Sequence, residues 1–244
     1  MRRVPLRLSP KTFATIVWLA VPNVIVWYAA VTIAITMLPA GRAAILGFTM
    51  PVWAALIGVL VYREPLDGRT LVGVVCAAAG IALLVGFGGW NAGQALGIAL
   101  MLVAAVGWAW GTHLYRRADL PLHTLAVTFW MMVVGCPVLF AASAWSERSA
   151  WRLPVGLEWW PVLYNGIVVL ALGNLLWFTL ARTLSPTIAG LSALAIPVVG
   201  VLGSLLALGE MPTARDVGAL ALVAAAVAAG LLPARSRSAP VERG

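Results

Sequence analysis

The chain has 244 residues, of which 62% are hydrophobic and only 10% are charged. Average soluble domains carry about 25% charged residues, so this composition excludes an ordinary water-soluble domain. The formal net charge of +8 is high for such an apolar chain. The positions of the cationic residues along the sequence indicate whether they contact a nucleic acid or flank membrane spans. We therefore treat the chain as an integral membrane protein.

Apolar stretches predict eight membrane-spanning helices. A span needs about 20 apolar residues, and a long stretch that contains a glycine-rich turn can hold two spans. Residues 70–115 form such a stretch, with its turn at residues 86–93. Continuous apolar runs favour helices over alternating strands, so we predict an all-α polytopic membrane helix bundle. The stretches without Asp, Glu, Lys or Arg are residues 12–41, 43–62, 70–115, 120–146, 159–181, 183–209 and 217–234.

The cations predict that both termini are cytoplasmic. With eight spans and a cytoplasmic N-terminus, twelve Lys and Arg residues lie inside and four lie outside, which is the positive-inside bias of membrane proteins. This distribution accounts for the net charge, so we expect no nucleic-acid partner. The first apolar stretch is too long for a cleaved signal peptide and is predicted to be a retained span. The expected location is the cell (inner) membrane.

One segment of the sequence occurs twice, 146 residues apart. Residues 38–85 and 184–231 are identical at 11 of 48 aligned positions. Internal repeats in an apolar chain are typical of transporters. Each copy keeps a proline within a predicted helix and a glutamate at the end of that helix: Pro51 and Glu64 in the first, Pro197 and Glu210 in the second.

The two copies are predicted to be unequal in size and opposite in direction. Residues 1–91 hold a first copy of three spans, residues 92–234 a second copy of five spans, and residues 235–244 a basic cytoplasmic tail. Because five is odd, successive copies enter the membrane from opposite sides, as an inverted repeat. Two spans of the second copy have no counterpart after Met1, so we expect either a start about two helices upstream or a shortened protein.

The repeated residues resemble the EamA-type family of the drug/metabolite transporter superfamily. The matching residues are Ala43–Leu46, Pro51, Glu64 and Gly73–Gly80 in the first copy, and Ala189–Ser192, Pro197, Glu210 and Gly218–Ala226 in the second. The resemblance implies ten helices in two inverted halves of five, and export of small metabolites, often amino acids. The chain departs from that pattern because the first two helices have no counterpart.

The prolines mark two candidate sites for substrate contact. Proline lacks an amide hydrogen, so the carbonyls of Gly47 and Ala193, four residues before Pro51 and Pro197, lose their helical partners. A substrate ammonium or hydroxyl could bind these carbonyls. The alternative is a simple kink whose carbonyls are satisfied by neighbouring helices. Weaker candidates for substrate contact are Tyr28, Thr49 and Ser192.

An amide and an indole share one helix face in each copy. Asn23 and Trp27 are four residues apart, and Asn174 and Trp177 are three residues apart. Polar side chains within a membrane face the bundle interior, where the amides could bond a polar substrate group and the indoles could cover its apolar or cationic part. Hydrogen bonding between helices is the alternative. Trp108 could border the same cavity, beside a stripe of small residues that allows close packing: Gly93, Gly97, Ala104, Gly107 and Gly111.

Glu64 and Glu210 are predicted at opposite membrane faces, with Glu64 inside and Glu210 outside. A carboxylate at the C-terminus of a helix opposes the helix dipole, so each should have a specific partner. The two glutamates could act as gates at the two mouths or could fix the turns that follow them. No predicted span has a charged residue at its centre, so the sequence gives no proton relay.

The sequence therefore predicts a membrane transporter that exports small amphipathic metabolites, such as amino acids, by alternating access. A non-transporting membrane scaffold, or a truncated remnant of such a transporter, is the alternative. The sequence has no metal motif, cofactor motif or acid–base constellation, so we expect no enzyme activity, no metal site and no cofactor. The expected partners are a small-molecule substrate and the lipid bilayer, and the internal repeat makes a monomer the default.

Overall fold

The regular elements of the chain are helices. The computed structural model describes residues 8–65, 68–85, 91–120, 122–149, 151–183 and 186–231, with the side chains of all of these except residues 69, 181–195, 230 and 231. In chain order the elements are α1 Pro10–Ala20, a π-helical turn Val21–Val26, α2 Trp27–Ala34, α3 Ala40–Gly47, α4 Met50–Tyr62, α5 Gly68–Val85, α6 Ala92–Arg117, α7 Thr124–Ser146, a 3-10 turn Gly156–Glu158, α8 Trp159–Leu163, a π-helical segment Tyr164–Gly173, α9 Asn174–Thr183, α10 Pro186–Leu208 and α11 Ala214–Leu231.

Across the described residues, these helices fall into eight hydrophobic segments. Five segments are long and apolar enough to cross a membrane, and two shorter apolar helices lie at Thr70–Val85 and Ile196–Leu208. The predicted all-α polytopic membrane bundle is therefore confirmed. The predicted tail, residues 235–244, lies outside the described residues, and the boundaries of the two copies stay predictions. The five long segments are Pro10–Ala34, Ala40–Tyr62, Ala92–Arg117, Thr124–Ser146 and Gly156–Leu180.

Both copies contain a stretch of π-helix in the segment that precedes the repeated proline helix. The π-helical turn Val21–Val26 in the first copy is matched, 146 residues later, by part of Tyr164–Gly173 in the second. Side-chain amides bond backbone carbonyls four residues earlier at both places: Asn23 Nδ2 donates to Leu19 O at 2.9 Å and Asn174 Nδ2 donates to Leu170 O at 2.8 Å. Short π-helices interrupting α-helices are frequent at functional sites.

The copies run in opposite directions, as the packing of α5 against α11 shows. These two helices are repeat equivalents of 18 residues each. A Cβ added at Gly73 would lie 2.9 Å from the carbonyl oxygen of Ala226, and one added at Gly80 would lie 3.3 Å from that of Ala219. Gly73 is equivalent to Ala219 and Gly80 to Ala226, so the same contact occurs twice with the roles exchanged. From residue 73 to residue 80 the contact advances toward the C-terminus of α5, while on α11 it moves from residue 226 back to residue 219. The two helices are therefore antiparallel.

Inversion places Glu64 and Glu210 at opposite ends of the bundle, because each precedes one of these antiparallel helices. We call these the Glu64 end and the Glu210 end. The turn before each glutamate is also the same in both copies: Arg63 and Gly209 are equivalent and have positive φ values of 55° and 68°. The amide of each glutamate then donates to the carbonyl six residues earlier, at 3.0 and 3.2 Å, which is a Schellman-type helix end.

The predicted stripe of small residues brings α6 close to the first segment. A Cβ added at Gly107 would lie 3.1 Å from Val26, and one added at Gly111 would lie 2.5 Å from the amide group of Asn23. Ala104 on the same face is fully buried. The lack of side chains at these glycines therefore positions Asn23 and the residues that follow it against α6.

The first and sixth segments are equivalent but differ in burial. In the apolar window of Pro10–Ala34, 39% of the residues are buried, whereas in that of Gly156–Leu180 only 11% are buried. Helices α6 and α7 pack against the first segment. In the sixth segment, large apolar side chains such as Ile167, Leu172 and Leu176 are exposed.

Replacing Gly73 with Leu should destabilise the bundle because the new side chain would collide with the backbone of α11 at Ala226. Overpacking of this kind typically costs about 1–3 kcal/mol. We expect a lower unfolding temperature in detergent, measured by circular dichroism. Gly203→Leu is the matched control, because a Cβ there meets no atom within 4 Å. Equal unfolding temperatures for the two variants would contradict the described contact between α5 and α11.

Candidate substrate-binding site

Three tryptophans from both copies meet at one place in the bundle. The ring centroid of Trp108 lies 4.9 Å from that of Trp27 and 6.0 Å from that of Trp177. Phe178 stacks on Trp108 at 6.0 Å with an interplanar angle of 18°. The structure therefore brings together the three tryptophans singled out from the sequence. Sequence reasoning missed Phe178, which is adjacent to Trp177 and fully buried.

Tyr28 and Asn174 are joined by a hydrogen bond and are also equivalent residues of the two copies. Asn174 Nδ2 donates to the Tyr28 hydroxyl at 2.5 Å, and the two positions are 146 residues apart. A contact between a residue and its own equivalent must lie on the pseudo-two-fold axis that relates the copies. In an inverted repeat this axis lies in the plane of the membrane. The pair therefore marks the depth at which a midplane site would lie.

Four buried polar atoms near these rings have no hydrogen-bond partner among the described residues. They are the side-chain oxygens of Asn23 and Asn174 and the indole nitrogens of Trp108 and Trp177. Asn23 is 0% and Asn174 is 3% exposed. An unpaired buried polar group costs about 1–3 kcal/mol, so such atoms are expected where water or a ligand completes the hydrogen bonds. The group offers two acceptors, two donors and no ionised side chain.

The repeated proline interrupts the helix in the first copy. Helix α3 ends at Gly47 and α4 begins at Met50, so the break lies directly before Pro51. Thr49 stabilises the break: its hydroxyl donates to Leu46 O at 2.6 Å and accepts from the indole nitrogen of Trp53 at 3.0 Å. The Thr49 hydroxyl is thus already bonded within its own segment.

Gly47 connects this break to the tryptophan cluster. A Cβ added at Gly47 would lie 3.8 Å from the ring of Trp27 and 3.0 Å from the end of Met101. In the second copy, Pro197 lies inside the continuous helix α10. The side chains of Ser192 and Ala193 lie outside the described residues, so their role as substrate contacts stays a prediction.

The two glutamates have different partners. Glu210 accepts a hydrogen bond from the backbone amide of Gly41, at the start of α3, with a distance of 3.4 Å to Oε2. Glu64 lies 3.7 Å from the guanidinium of Arg117, and both side chains are half exposed. Each glutamate therefore joins its own copy to the other copy, at opposite ends of the bundle.

A charged pair that sequence reasoning missed lies at the Glu210 end. Arg42 Nε donates to Asp216 Oδ1 at 2.7 Å, with side chains 23% and 9% exposed. Asp216 also accepts hydrogen bonds from the amide and hydroxyl of Thr213, at 2.8 and 2.7 Å. The pair links α3 to α11. The sequence carried no signal for it, because the two residues are separated by 174 positions.

Comparison with known proteins supplies the family. A model of the EamA-like transporter family matches residues 1–86 and 95–231. The chain belongs to the EamA-like transporter family. This EamA-like chain is accordingly a multi-pass membrane protein and a membrane transporter by family, which confirms the resemblance seen in the repeated residues.

Two individual relatives have low sequence identity to this chain, 26% and 27%. The EamA-like chain is 26% identical over 213 residues to the "Uncharacterized transporter YvbV" of Bacillus subtilis (strain 168), covering 85% of this chain and 68% of the relative. It is 27% identical over 188 residues to the "Probable amino-acid metabolite efflux pump" of Escherichia coli (strain K12), covering 72% of this chain and 62% of the relative. A solved crystal structure with 21% identity and a TM-score of 0.67, covering 96% of this chain and 79% of that one, has the same fold.

Replacing Tyr28 with Phe should weaken the contact between the copies because the hydroxyl that accepts from Asn174 is lost. A hydrogen bond of this type contributes about 0.5–1.5 kcal/mol, so the unfolding temperature in detergent should fall. Tyr164→Phe is the control, since Tyr164 is 57% exposed. If both phenylalanine variants unfold at the wild-type temperature, the Tyr28–Asn174 bond does not stabilise the bundle.

Proposed function

We propose that this EamA-like protein exports a small amphipathic metabolite, such as an amino acid, by alternating access. The observation that supports this most is the uncharged, aromatic-lined group around Trp108, with unpaired donors and acceptors contributed by both copies. It lies beside the Tyr28–Asn174 pair on the pseudo-two-fold axis. A substrate bound there would contact both halves at the depth where a transporter binds its cargo.

The side chains suit a neutral or zwitterionic molecule. The oxygens of Asn23 and Asn174 can accept from an ammonium or hydroxyl group, and the indole nitrogens of Trp108 and Trp177 can donate to a carboxylate. The ring faces can cover an apolar or cationic part of the same molecule. A strongly anionic substrate is disfavoured because no cationic side chain is found among these contacts.

The inverted copies support alternating access. In inverted-repeat transporters, one copy moves against the other around a fixed midplane site, so that the site opens first to one side and then to the other. The Glu64 end and the Glu210 end are the two mouths in this scheme. Gly47, Pro51 and Thr49 form the helix break beside the site, where a change of backbone angle would move α3 relative to α4.

The direction of transport and the class of substrate are argued from one relative's name and from the distribution of charge. One relative is named a "Probable amino-acid metabolite efflux pump", and the chain spans 62% of its length. The excess of cations at the Glu64 end favours a cytoplasmic position for that end and for both termini. We further propose that the protein lies in the cell (inner) membrane, acts as a monomer and binds no nucleic acid.

Replacing Trp108 with Ala should reduce transport strongly, because Trp108 contacts both Trp27 and Trp177 and its loss would open the site. We expect uptake of amino acids into inverted reconstituted vesicles to fall about ten-fold or more, since aromatic contacts contribute on the order of 1 kcal/mol each beyond burial. Trp108→Phe should retain part of the activity. The measurement is accumulation of a panel of radiolabelled amino acids, compared with empty vesicles.

Trp145→Ala serves as the matched control, because Trp145 is 89% exposed and is not one of the rings that contact Trp108. It should transport at the wild-type rate. Two results would count against the proposal: no transport by the wild-type protein of any tested amphipathic metabolite, which would favour a non-transporting scaffold, or equal loss in the Trp108 and Trp145 variants.

A further inference from the structure

The Glu210 end is closed by direct contact between the copies. Small residues of α3 and α10 face each other there: a Cβ added at Gly41 would lie 2.9 Å from the hydroxyl oxygen of Ser204, and one added at Gly200 would lie 2.5 Å from the Cβ of Ala44. Such close approach leaves no room for a solute between the two helices. The described contacts therefore correspond to a state that is shut at this end.

Charged groups reinforce the closed end. The Arg42–Asp216 ion pair joins α3 of the first copy to α11 of the second, and Glu210 of the second copy accepts from the amide of Gly41 in the first. The side chain of Asp216 is only 9% exposed, and removing the partner of a buried charge is strongly destabilising. Both contacts would be lost if α3 moved away from α10 and α11.

The equivalent positions at the Glu64 end have other neighbours. Ala54 and Gly58 of α4 are the equivalents of Gly200 and Ser204. The Nε2 atom of His113 lies 2.8 Å from the carbonyl oxygen of Ala54. The nearest atoms to a Cβ added at Gly58 belong to Glu64, at 2.5 Å, and His113, at 3.7 Å. His113 and Glu64 thus cover the surface that corresponds to the closed contact at the other end.

Resting on the proposed alternating access, we infer that Arg42, Asp216 and Glu210 form a latch that holds the Glu210 end closed. Exchanging the conformations of two inverted copies generates the opposite state. In that state the side chains of His113 and Glu64 would no longer cover Ala54 and Gly58. Glu64 would instead accept a hydrogen bond from the backbone amide of Thr187, the equivalent of Gly41.

The two latches are unequal in strength. The equivalents of Arg42 and Asp216 are Ile188 and Thr70, so the opposite state has no counterpart of the ion pair. A ligand or contact shifts a two-state equilibrium only by the difference between its interaction free energies in the two states. The ion pair stabilises one state alone, so the empty transporter rests closed at the Glu210 end, and neutralising either residue shifts the population by about ten-fold or more.

The test measures disulfide cross-linking in membranes without substrate, in a Cys76→Ala/Cys136→Ala background. The pair Gly41→Cys/Ser204→Cys reports closure of the Glu210 end, and Gly58→Cys/Thr187→Cys reports closure of the Glu64 end. With Arg42 and Asp216 intact, the first pair should cross-link faster. Arg42→Gln or Asp216→Asn should slow the first pair and accelerate the second, changing the ratio of rates about ten-fold or more.

The matched control is Arg152→Gln, which removes an ion pair within one copy. Arg152 and Glu158 are paired at 2.6 Å and are both exposed, so this variant should keep the original ratio. The charge exchange Arg42→Asp/Asp216→Arg should restore the ratio at least in part, which separates the latch from misfolding. Elution of each variant as a single detergent peak confirms that it is folded.

The same cross-linking ratio in Arg42→Gln, Asp216→Asn and Arg152→Gln would overturn the latch. Because no substrate is present, this result is independent of the transport assay. A shifted ratio in a protein that moves no solute would support the latch while contradicting the proposed export. Normal transport with an unshifted ratio would support export while contradicting the latch.

Discussion

The antiparallel contact between α5 and α11 is the constraint on which the rest of the structure depends. Glycine at positions 73 and 80 allows α5 to approach the backbone of α11 at two reciprocal points, and reciprocity fixes a pseudo-two-fold axis between them. The Tyr28–Asn174 hydrogen bond lies on the same axis. The axis in turn determines which side chains of the two copies share the middle of the bundle.

Around this axis, uncharged polar side chains and ionised side chains occupy different parts of the bundle. The middle contains indoles and amides with unpaired polar atoms, whereas ion pairs lie toward the ends, at Arg42–Asp216 and Arg117–Glu64. Charges within a membrane interior are costly and amides are less so, which explains the division. Under the proposed function, the site without ionised side chains would bind an amphipathic molecule through shape and hydrogen bonds, and the charged ends would control access to it.

The sequence was sufficient for the helices, the repeat and the tryptophans, because apolar length, the 146-residue offset and helical spacing are local signals. It noted an amide beside an indole in each copy, Asn23 with Trp27 and Asn174 with Trp177. By the 146-residue offset the equivalent of Asn174 is Tyr28, and the structure adds that these two residues share a hydrogen bond. Arg42–Asp216 could not be found, since the register between α3 and α11 depends on packing. The role of Ser192 and Ala193 and the two helices expected before Met1 stay predictions.

Disulfide mapping of α5 against α11 tests the inverted arrangement most directly. In a background without Cys76 and Cys136, the account predicts that Gly73→Cys/Ala226→Cys cross-links rapidly, because an antiparallel pair brings these positions together. The pair Gly73→Cys/Ala219→Cys, which joins repeat-equivalent positions, should cross-link far more slowly. Rapid cross-linking within both repeat-equivalent pairs, residues 73 with 219 and 80 with 226, with none between 73 and 226, would show that the two helices are parallel and would contradict the inverted repeat.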